Sequence, residues 1–461
     1  MRDWLTSFCF ALFFLPSLGQ LSNSQQKALQ KQARGRANFN EYYETLYGTH
    51  RWPILSESLL RPTRYAALLN RYIGERNLQL VREHLRAQGA VPFEWNQQQA
   101  PGVRPFECFI FPLQQTTSSD IPELSSSTPS PPDSHDTLPS LFTPPVHLVS
   151  RFDPSTILCP TDDRIVPLPY YPLDLASVLA VSALRLRPND HVIDMCAAPG
   201  GKSYAITQHL ALEERIVYGK KTARLHSNDV SAARRKRLQN VLRNYLPLPI
   251  SHDSEKIITS QKDLVITQME YAHYDTVLLD APCSTDRHTL HSPLELASWS
   301  PSRFRRDAER QVALLLQALR TAKPGETIVY ATCSLTPTEN DEVIQAVAVQ
   351  CAKWKQKGRT GREGIQIQFE IQPIKLQPSS GASLASPSSS SSFSQSAEPF
   401  YMPFGEPTKY GWMILPDQPI RSDVGGMDSN QPHGFGPLYI ARLRRCNVDG
   451  STSKEGRVEA T

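Results

Sequence analysis

Short apolar runs and longer amphipathic segments alternate between about residues 174 and 443. The apolar runs predict buried strands at 191–195, 224–228, 276–280, 327–331 and 436–443. The segments between them predict helices at 174–186, 203–212, 232–245 and 306–321. Strands that alternate with helices form open, largely parallel sheets covered by helices on both faces. The sequence therefore predicts a doubly wound, Rossmann-like α/β fold.

A different pattern precedes this one. Between residues 39 and 115, aromatic and leucine residues recur at helical spacing, as in Tyr42, Tyr43, Tyr47 and Trp52. Aromatic residues at this spacing are more often packed in a core than arranged as a platform for stacking bases. We therefore predict a small helical N-terminal region at 39–115.

Serine, threonine and proline dominate two further stretches. Residues 116–148 are predicted to be a disordered linker and residues 379–397 a disordered insertion, because such a composition cannot build a core. The α/β domain is predicted at 149–446, and a disordered tail at 447–461.

The first 38 residues are predicted to be a targeting segment. Residues 5–18 are apolar, as in a secretory signal, whereas the stretch 20–40 contains no acidic residue. Its basic residues are Lys27, Lys31, Arg34 and Arg36. A basic, acid-poor segment is typical of mitochondrial transit sequences. We favour the mitochondrial matrix, with a cytoplasmic location as the alternative.

Composition excludes several classes of protein. Eight scattered cysteines without a Cys-x-x-Cys pair are unlike a disulfide scaffold or a zinc ribbon, so we predict no metal site. No run of 18 apolar residues is present, and no membrane span is predicted. A net charge of +4 permits a nucleic-acid partner without requiring one.

The first predicted strand ends in a glycine-containing turn, Asp194-Met-Cys-Ala-Ala-Pro-Gly-Gly-Lys202. Adjacent glycines let the backbone approach a ligand, and the helix that follows offers free N–H groups. A triphosphate-binding P-loop is excluded, because Cys196 stands where its first glycine is required.

Acidic residues follow the next two strands. Asp229 ends the second strand, where a carboxylate can bind the hydroxyls of an adenosine ribose, although it could equally cap the next helix, as could Ser231. It lies further from the glycine turn than usual, because 213–222 reads as an insertion. Asp263 is predicted to end a third strand, near the adenine base of such a bound adenosine.

Two cysteines follow the last two parallel strands. Cys283 stands in Asp280-Ala-Pro-Cys283, and Cys333 stands in Thr332-Cys-Ser334. The carboxyl ends of parallel strands face the crevice in which open α/β sheets bind ligands. Two cysteines in this setting indicate thiol chemistry, although free cysteines also serve as small buried hydrophobes.

The ordered set of these motifs resembles the NSUN (Sun-domain) family of RNA cytosine-5 methyltransferases, which use S-adenosylmethionine. The resemblance covers about residues 151–445 outside the second insertion, and it is greatest to the member that acts on mitochondrial ribosomal RNA. The sequences that carry this closer match are Cys283-Ser-Thr-Asp-Arg-His288, Gly434-Phe-Gly-Pro-Leu-Tyr439 and Tyr65-Ala-Ala-Leu-Leu-Asn70. The chain departs from the family in its insertions and in Leu264, where a glycine is expected.

The resemblance implies a role for each motif residue. Cys333 would be the nucleophile that adds to carbon-6 of cytosine, Cys283 would assist product release, and Asp280 would lie beside the flipped base. The residues implied in S-adenosylmethionine binding are Cys196, Ala197, Ala198, Pro199, Gly200, Gly201, Lys202, Asp229, Arg234, Asp263 and Asp280.

The implied activity is methylation of mitochondrial small-subunit ribosomal RNA, in support of ribosome assembly. The implied partners are RNA and a protein of the mitochondrial transcription-termination-factor type. Alternatives are a tRNA methyltransferase of the same family and an assembly factor that binds ribosomal RNA without turnover. DNA cytosine-5 methylation is disfavoured by Thr332-Cys-Ser334, and amino-group methylation by Cys283 in place of an aromatic residue.

Overall fold

The computed structural model describes residues 22–111, 167–214, 221–356, 367–378, 399–420 and 431–446. Several sequence predictions lie outside these residues. They concern the apolar run 5–18, the linker 116–148, the insertion 379–397, the tail 447–461 and most of the insertion before Asp229.

Nine strands of the described residues form one large sheet. They are β5 His191–Asp194, β6 Arg224–Asn228, β7 Ile257–Ser260, β8 Tyr274–Asp280, β9 Ala322–Thr332, β10 Phe369–Gln372, β13 Glu406–Pro407, β14 Trp412–Ile414 and β15 Leu438–Arg445. A separate parallel pair is formed by β11 Ile374–Leu376 and β12 Phe400–Met402. The order in the nine-stranded sheet is β13-β14-β15-β9-β8-β5-β6-β7, and β10 also pairs with β15. Five of them, β5 to β9, are parallel, and β15 closes the parallel part as an antiparallel neighbour of β9.

Helices cover this sheet, and two large groups of buried apolar side chains lie on its strands. The helices are α1 Asn23–Tyr47, α2 Arg51–Leu60, α3 Glu75–Ala87, α4 Leu175–Ser182, α5 Gly201–Thr207, α6 Ala232–Tyr245, α7 Leu248–Ser251, α8 Asp286–His291, α9 Pro293–Ser298, α10 Ser302–Thr321 and α11 Asp341–Gln356. Within the described parts of the chain, none of them is both long and apolar enough to cross a membrane.

The predicted doubly wound fold is confirmed. All five predicted strands and all four predicted helices are present, with bounds shifted by a few residues. Asp174 caps the first of these helices, since its carboxylate accepts a hydrogen bond of 2.9 Å from the Ala176 N–H. The third parallel strand ends at Ser260, so Asp263 lies in the loop beyond it and not at the strand end.

The prediction of a helical N-terminal region needs correction. Besides helices α1 to α3, this part contains β1 Ala66–Leu69, β2 Val91–Phe93 and β3 Cys108–Ile110. They form a four-stranded antiparallel sheet whose last strand, β4 Tyr170–Leu173, comes from beyond the predicted linker. These strands of three or four residues are too short for a period of two to be visible in the sequence.

The predicted boundary after residue 38 lies inside helix α1. Ser22 begins this helix in a capping box with Gln25, and the helix continues to Tyr47. Gly35 and Phe39 are buried against the body of the protein, so the packed part of the chain starts upstream of the predicted boundary. A methyl group at Gly35 would lie 1.8 Å from the Leu296 carbonyl oxygen of helix α9.

We predict that Gly35→Ala destabilises the protein. Alanine is the better helix former by about 1 kcal/mol, but the clash with the α9 backbone requires the two helices to move apart. Overpacking of this kind costs about 1–3 kcal/mol, which would lower the melting temperature. Asn38→Ala, on the exposed side of the same helix, is the matched control and should leave it unchanged or raised. A melting temperature for Gly35→Ala equal to that of the control would contradict the observed packing.

Candidate active site

The carboxyl ends of the five parallel strands lie at one edge of the sheet. Strands β6 and β7 follow β5 on one side, and β8 and β9 lie on the other, so the order in which strands are added to the sheet reverses between β5 and β8. In open α/β sheets the crevice at such a reversal is the ligand-binding position. Asp194 ends β5, Asp280 ends β8 and Thr332 ends β9.

The glycine turn after β5 is held tightly against β6. The Ala197 N–H donates to the Asn228 carbonyl at 2.8 Å, and the Ala198 N–H donates to the Asp229 carboxylate at 3.3 Å. Gly200 has φ of +119°, a conformation that favours glycine. A methyl group at Gly201 would lie 2.7 Å from the Leu173 side chain. Both glycines are therefore required by the path of the backbone.

A pocket opens between this turn and the ends of β6, β7 and β8. The predicted binding residues that line it are Cys196, Asp229, Arg234 and Asp263. The other lining residues are Met195, Asn228, Val230, Lys262, Leu264, Pro282, Arg310 and Leu314. Burial, followed by the charge of Asp194, raises the pKa of the Cys196 thiol, so this thiol is neutral at physiological pH.

Asp229 is a pocket residue and not the helix cap. The cap of α6 is Ser231, whose hydroxyl accepts from the Arg234 N–H. Asp229 is buried and fixed on three sides, by the N–H groups of Ala198 and Ser231 and by the Arg234 guanidinium at 3.6 Å. Arg234 also donates to the Ala198 carbonyl at 2.7 Å and so ties α6 to the glycine turn.

Asn228 supports the pocket, although sequence reasoning did not single it out. Its amide donates to the carbonyls of Met195 and Lys262, at 3.1 and 3.0 Å, and its oxygen accepts from the Lys262 N–H at 2.9 Å. It thus joins the loops after β5 and β7. The nearby Asp263 carboxylate accepts from the Val265 N–H at 3.0 Å.

Lys202 does not line the pocket but pairs with the residue that ends β8. Its ammonium lies 2.8 Å from the Asp280 carboxylate. Burial is the largest single effect and lowers the pKa of Lys202, but the charge and hydrogen bond of Asp280, together with the charge of Asp194 and other nearby groups, outweigh it, so the pKa is raised. The neighbouring Asp194 accepts a 2.7 Å hydrogen bond from Ser203, and burial raises its pKa to about 7.

The two predicted cysteines lie side by side. The sulfur atoms of Cys283 and Cys333 are 3.0 Å apart, although 50 residues separate them in the chain. The hydrogen bond with Cys333, and then burial, raise the pKa of Cys283 well above that of a free thiol. Cys283 is therefore held as a neutral thiol beside Cys333.

Comparison with known proteins identifies the family. The family model described as 16S rRNA methyltransferase RsmB/F matches residues 181–383. The 5-cytosine rRNA methyltransferase NSUN4 of Bos taurus is 33% identical over 318 residues, which cover 67% of this chain and 72% of that protein. The chain belongs to the NSUN and RsmB/F family of RNA cytosine-5 methyltransferases.

A second relative agrees with this assignment, and two solved structures agree with the fold. The 5-cytosine rRNA methyltransferase nsun-4 of Caenorhabditis elegans is 37% identical over 209 residues, or 44% of this chain and 43% of that protein. The crystal structure of NSun6 from Pyrococcus horikoshii with SFG has a TM-score of 0.51, 17% identity, and coverage of 88% of this chain and 97% of that chain. PH0851 has the same TM-score at 16% identity, with coverage of 88% and 65%. At such identities, the two structures support the fold alone.

The pocket fits S-adenosylmethionine, the methyl donor of the family. Its lining contains a carboxylate, Asp229, that could accept hydrogen bonds from ribose hydroxyls, and apolar side chains of Val230, Leu264 and Leu314 that would suit an adenine ring. Leu264, which departs from the family pattern, is 4% exposed and forms part of this apolar wall. When bound, S-adenosylmethionine supplies an electrophilic methyl group.

We predict that Asp229→Ala weakens S-adenosylmethionine binding by about 1–3 kcal/mol, the usual cost of leaving buried polar partners unpaired. Isothermal titration calorimetry on the full chain measures this loss. Ser231→Ala is the matched control, because it removes the helix cap two residues away and should reduce stability by about 1 kcal/mol without the same loss of affinity. Equal affinities for wild type and Asp229→Ala would reject the role of Asp229 in ribose binding.

Proposed function

We propose that this chain methylates carbon-5 of a cytosine in mitochondrial small-subunit ribosomal RNA. The observation that carries the proposal is the pair of thiols 3.0 Å apart, beside a pocket that suits S-adenosylmethionine. A nucleophile needs only one thiol. Two adjacent thiols suit a reaction in which one thiol forms a bond to the substrate and the other assists when that bond breaks.

The thiol of Cys333 is the nucleophile in this proposal. Carbon-5 of cytosine is a weak nucleophile, and addition of the Cys333 thiolate to carbon-6 makes the ring an enamine-like nucleophile at carbon-5. After methylation, the carbon-5 proton passes to a base or to water, its electron pair re-forms the ring double bond, and the sulfur leaves carbon-6 as the thiolate. Cys333 follows β9 directly, so the strand fixes the direction of attack.

Cys283 assists release of the product. It stays neutral because its pKa is raised, so it does not compete with Cys333 as a thiolate. It also lies close enough to exchange a proton with the departing sulfur.

Asp280 and Lys202 orient the cytosine. The Asp280 carboxylate stands at the end of β8, three residues before Cys283, and retains 30% side-chain exposure while its ion pair with Lys202 holds it in place. An exposed carboxylate there can accept a hydrogen bond from the protonated ring nitrogen of the base.

Basic side chains around the pocket suit an RNA substrate. Helix α6 starts beside Asp229 and contains no acidic residue, and Arg234 and Arg237 are exposed on it. Arg305, Arg306 and Arg310 are exposed on α10, and Arg310 lines the pocket from the opposite side. Cations on both sides of the crevice can bind the phosphates that flank a flipped cytosine.

The ribosomal substrate is proposed from the relatives. The bovine relative that covers 67% of this chain is named a 5-cytosine rRNA methyltransferase. A mitochondrial tRNA (cytosine(34)-C(5))-methyltransferase of Danio rerio is 37% identical, but over only 39% of this chain and 46% of that protein. The mitochondrial matrix and a partner of the transcription-termination-factor type complete the proposal, and the basic residues at 27–36 support import.

We predict that Cys333→Ala abolishes methyl transfer while S-adenosylmethionine affinity stays within about twofold, because the thiol lies outside the pocket lining. Cys283→Ala should instead accumulate protein bound covalently to RNA, visible as a shifted band under denaturing conditions. Cys351→Ala, which changes a buried cysteine of α11, is the control and should behave as wild type. Turnover by Cys333→Ala together with its loss in Cys283→Ala would reverse the two roles.

We also predict that depletion of the protein removes one 5-methylcytosine from mitochondrial small-subunit ribosomal RNA, as measured by bisulfite sequencing. Re-expression of the wild type should restore the mark, and re-expression of Cys333→Ala should not. If the mark is lost from a mitochondrial tRNA instead, the tRNA alternative is correct. If Cys333→Ala restores ribosome assembly as well as the wild type does, the protein acts as an assembly factor and turnover is dispensable.

A further inference from the structure

A buried carboxylate, Glu339, connects the two cysteine loops. It belongs to the short 3-10 helix Pro337–Glu339 and is 0% exposed. One of its oxygens accepts from the Ser284 N–H at 3.0 Å, and the other accepts from the Ser334 hydroxyl at 2.6 Å. Ser284 and Ser334 are the residues that directly follow Cys283 and Cys333. One side chain therefore holds both loops immediately beyond the thiols.

Gln311 of helix α10 extends this connection. Its amide donates to Glu339 at 2.9 Å and to the Pro282 carbonyl at 2.8 Å. The residue before Cys283 and the residue after it are thus both fixed by the same pair of side chains. The Tyr330 hydroxyl in turn donates to the Glu339 carbonyl at 2.6 Å, which anchors the 3-10 helix to strand β9.

The charge of Glu339 also acts on Cys283. The pKa of Cys283 is raised by its hydrogen bond with Cys333, by burial, and then by the charges of Cys333 and Glu339. The other titratable groups at this position are Asp286, which lies near Glu339 and Ser334, and Tyr330, which lies near Glu339 and Cys283. Burial raises the pKa of Glu339 itself, and hydrogen bonds from Ser284, Ser334 and Gln311 counteract this.

We infer that Glu339 is a positioning residue that sets the distance between the two thiols and holds its charge beside the Cys283 loop. The effect of Glu339 on the distance between the thiols follows from the hydrogen bonds alone, whereas its effect on methyl transfer rests on the proposed function. Glu339 contacts neither thiol directly, so its effect on the reaction passes through the backbone of the two loops and through its charge.

Two substitutions in the full chain distinguish the hydrogen bonds of Glu339 from its charge. Glu339→Gln keeps the size and an acceptor oxygen but removes the charge, whereas Glu339→Ala removes both. Glu342→Gln is the matched control, because it neutralises an exposed carboxylate three residues later.

Thiol proximity is measured as the rate of disulfide formation with diamide. Cys283 and Cys333 together lose two protons and two electrons, and the azo group of diamide takes up both to become a hydrazine. Peptide mass mapping identifies the linked pair. We expect Glu339→Ala to slow this step at least tenfold, and Glu339→Gln to stay within about threefold of the wild type.

The charge effect is measured as the pH dependence of Cys283 alkylation by iodoacetamide, again with peptide mapping. We expect Glu339→Gln to shift this profile to lower pH, because the thiolate of Cys283 no longer faces a second negative charge. A residue with only a structural role would leave the profile of this near-isosteric variant unchanged.

The inference is overturned if both Glu339 variants match Glu342→Gln in two measurements. These are the pH profile of Cys283 alkylation and the rate of disulfide formation. If Glu339→Ala does not fold, the alkylation profile of Glu339→Gln decides the question, with its melting temperature as the check on folding. Neither thiol measurement uses RNA. The inference can therefore hold even where methylation of ribosomal RNA is not found.

Discussion

The pairing of two parallel strands, β8 and β9, is the constraint on which the site depends. Their register places Asp280 opposite Ala331, so both strands end at the same level of the sheet. The Ala281 N–H then donates to the Ala331 carbonyl at 2.8 Å, which continues the pairing one step beyond the strand. Two cysteines 50 residues apart can meet at 3.0 Å only because this register brings their loops together. A slip of one residue would turn every side chain of the strand to the other face.

This arrangement buries two carboxylates, those of Glu339 and Asp286, next to the cysteine loops. An ionised carboxylate that leaves water loses several kcal/mol unless hydrogen bonds replace its hydration. Glu339 has three donors, from Ser284, Ser334 and Gln311, and Asp286 accepts from the Leu335 N–H at 2.7 Å. These bonds fix the loops, since moving either loop would leave a buried carboxylate without its donors. The rigidity of the site thus follows from the cost of buried charge.

Sequence patterns were sufficient for four of the five parallel strands and for the residues that end β5, β6, β8 and β9, whereas Asp263 was wrongly placed at the end of β7. Apolar runs followed by Asp194, Asp280 or Thr332 carry a local signal, because a buried strand and its terminal residue are neighbours in the chain. Asn228, Gln311 and Glu339 carry no such signal, since their functions depend on loops 28 to 55 residues away. The position of Glu339 shortly after Thr332-Cys-Ser334 indicates that it belongs to a loop, but the sequence does not show which residues Glu339 contacts. The antiparallel front sheet was missed for the same reason, because β4 joins it from far along the chain.

Helix α1 links the front of the chain to the reaction centre. The Tyr42 hydroxyl lies 2.9 Å from the Thr336 hydroxyl, and the Tyr47 hydroxyl donates to the Leu335 carbonyl at 2.8 Å. Both contacts fall on the loop that directly follows Cys333, so this helix supports the position of Cys333. Three of the basic residues in the proposed import segment, Lys27, Lys31 and Arg34, lie in the first half of the same helix. The aromatic residues that pack against the rest of the protein lie in the second half. We therefore expect this helix to be required from Gly35 onward, because the loop beyond Cys333 loses its support once Tyr42 and Tyr47 are displaced.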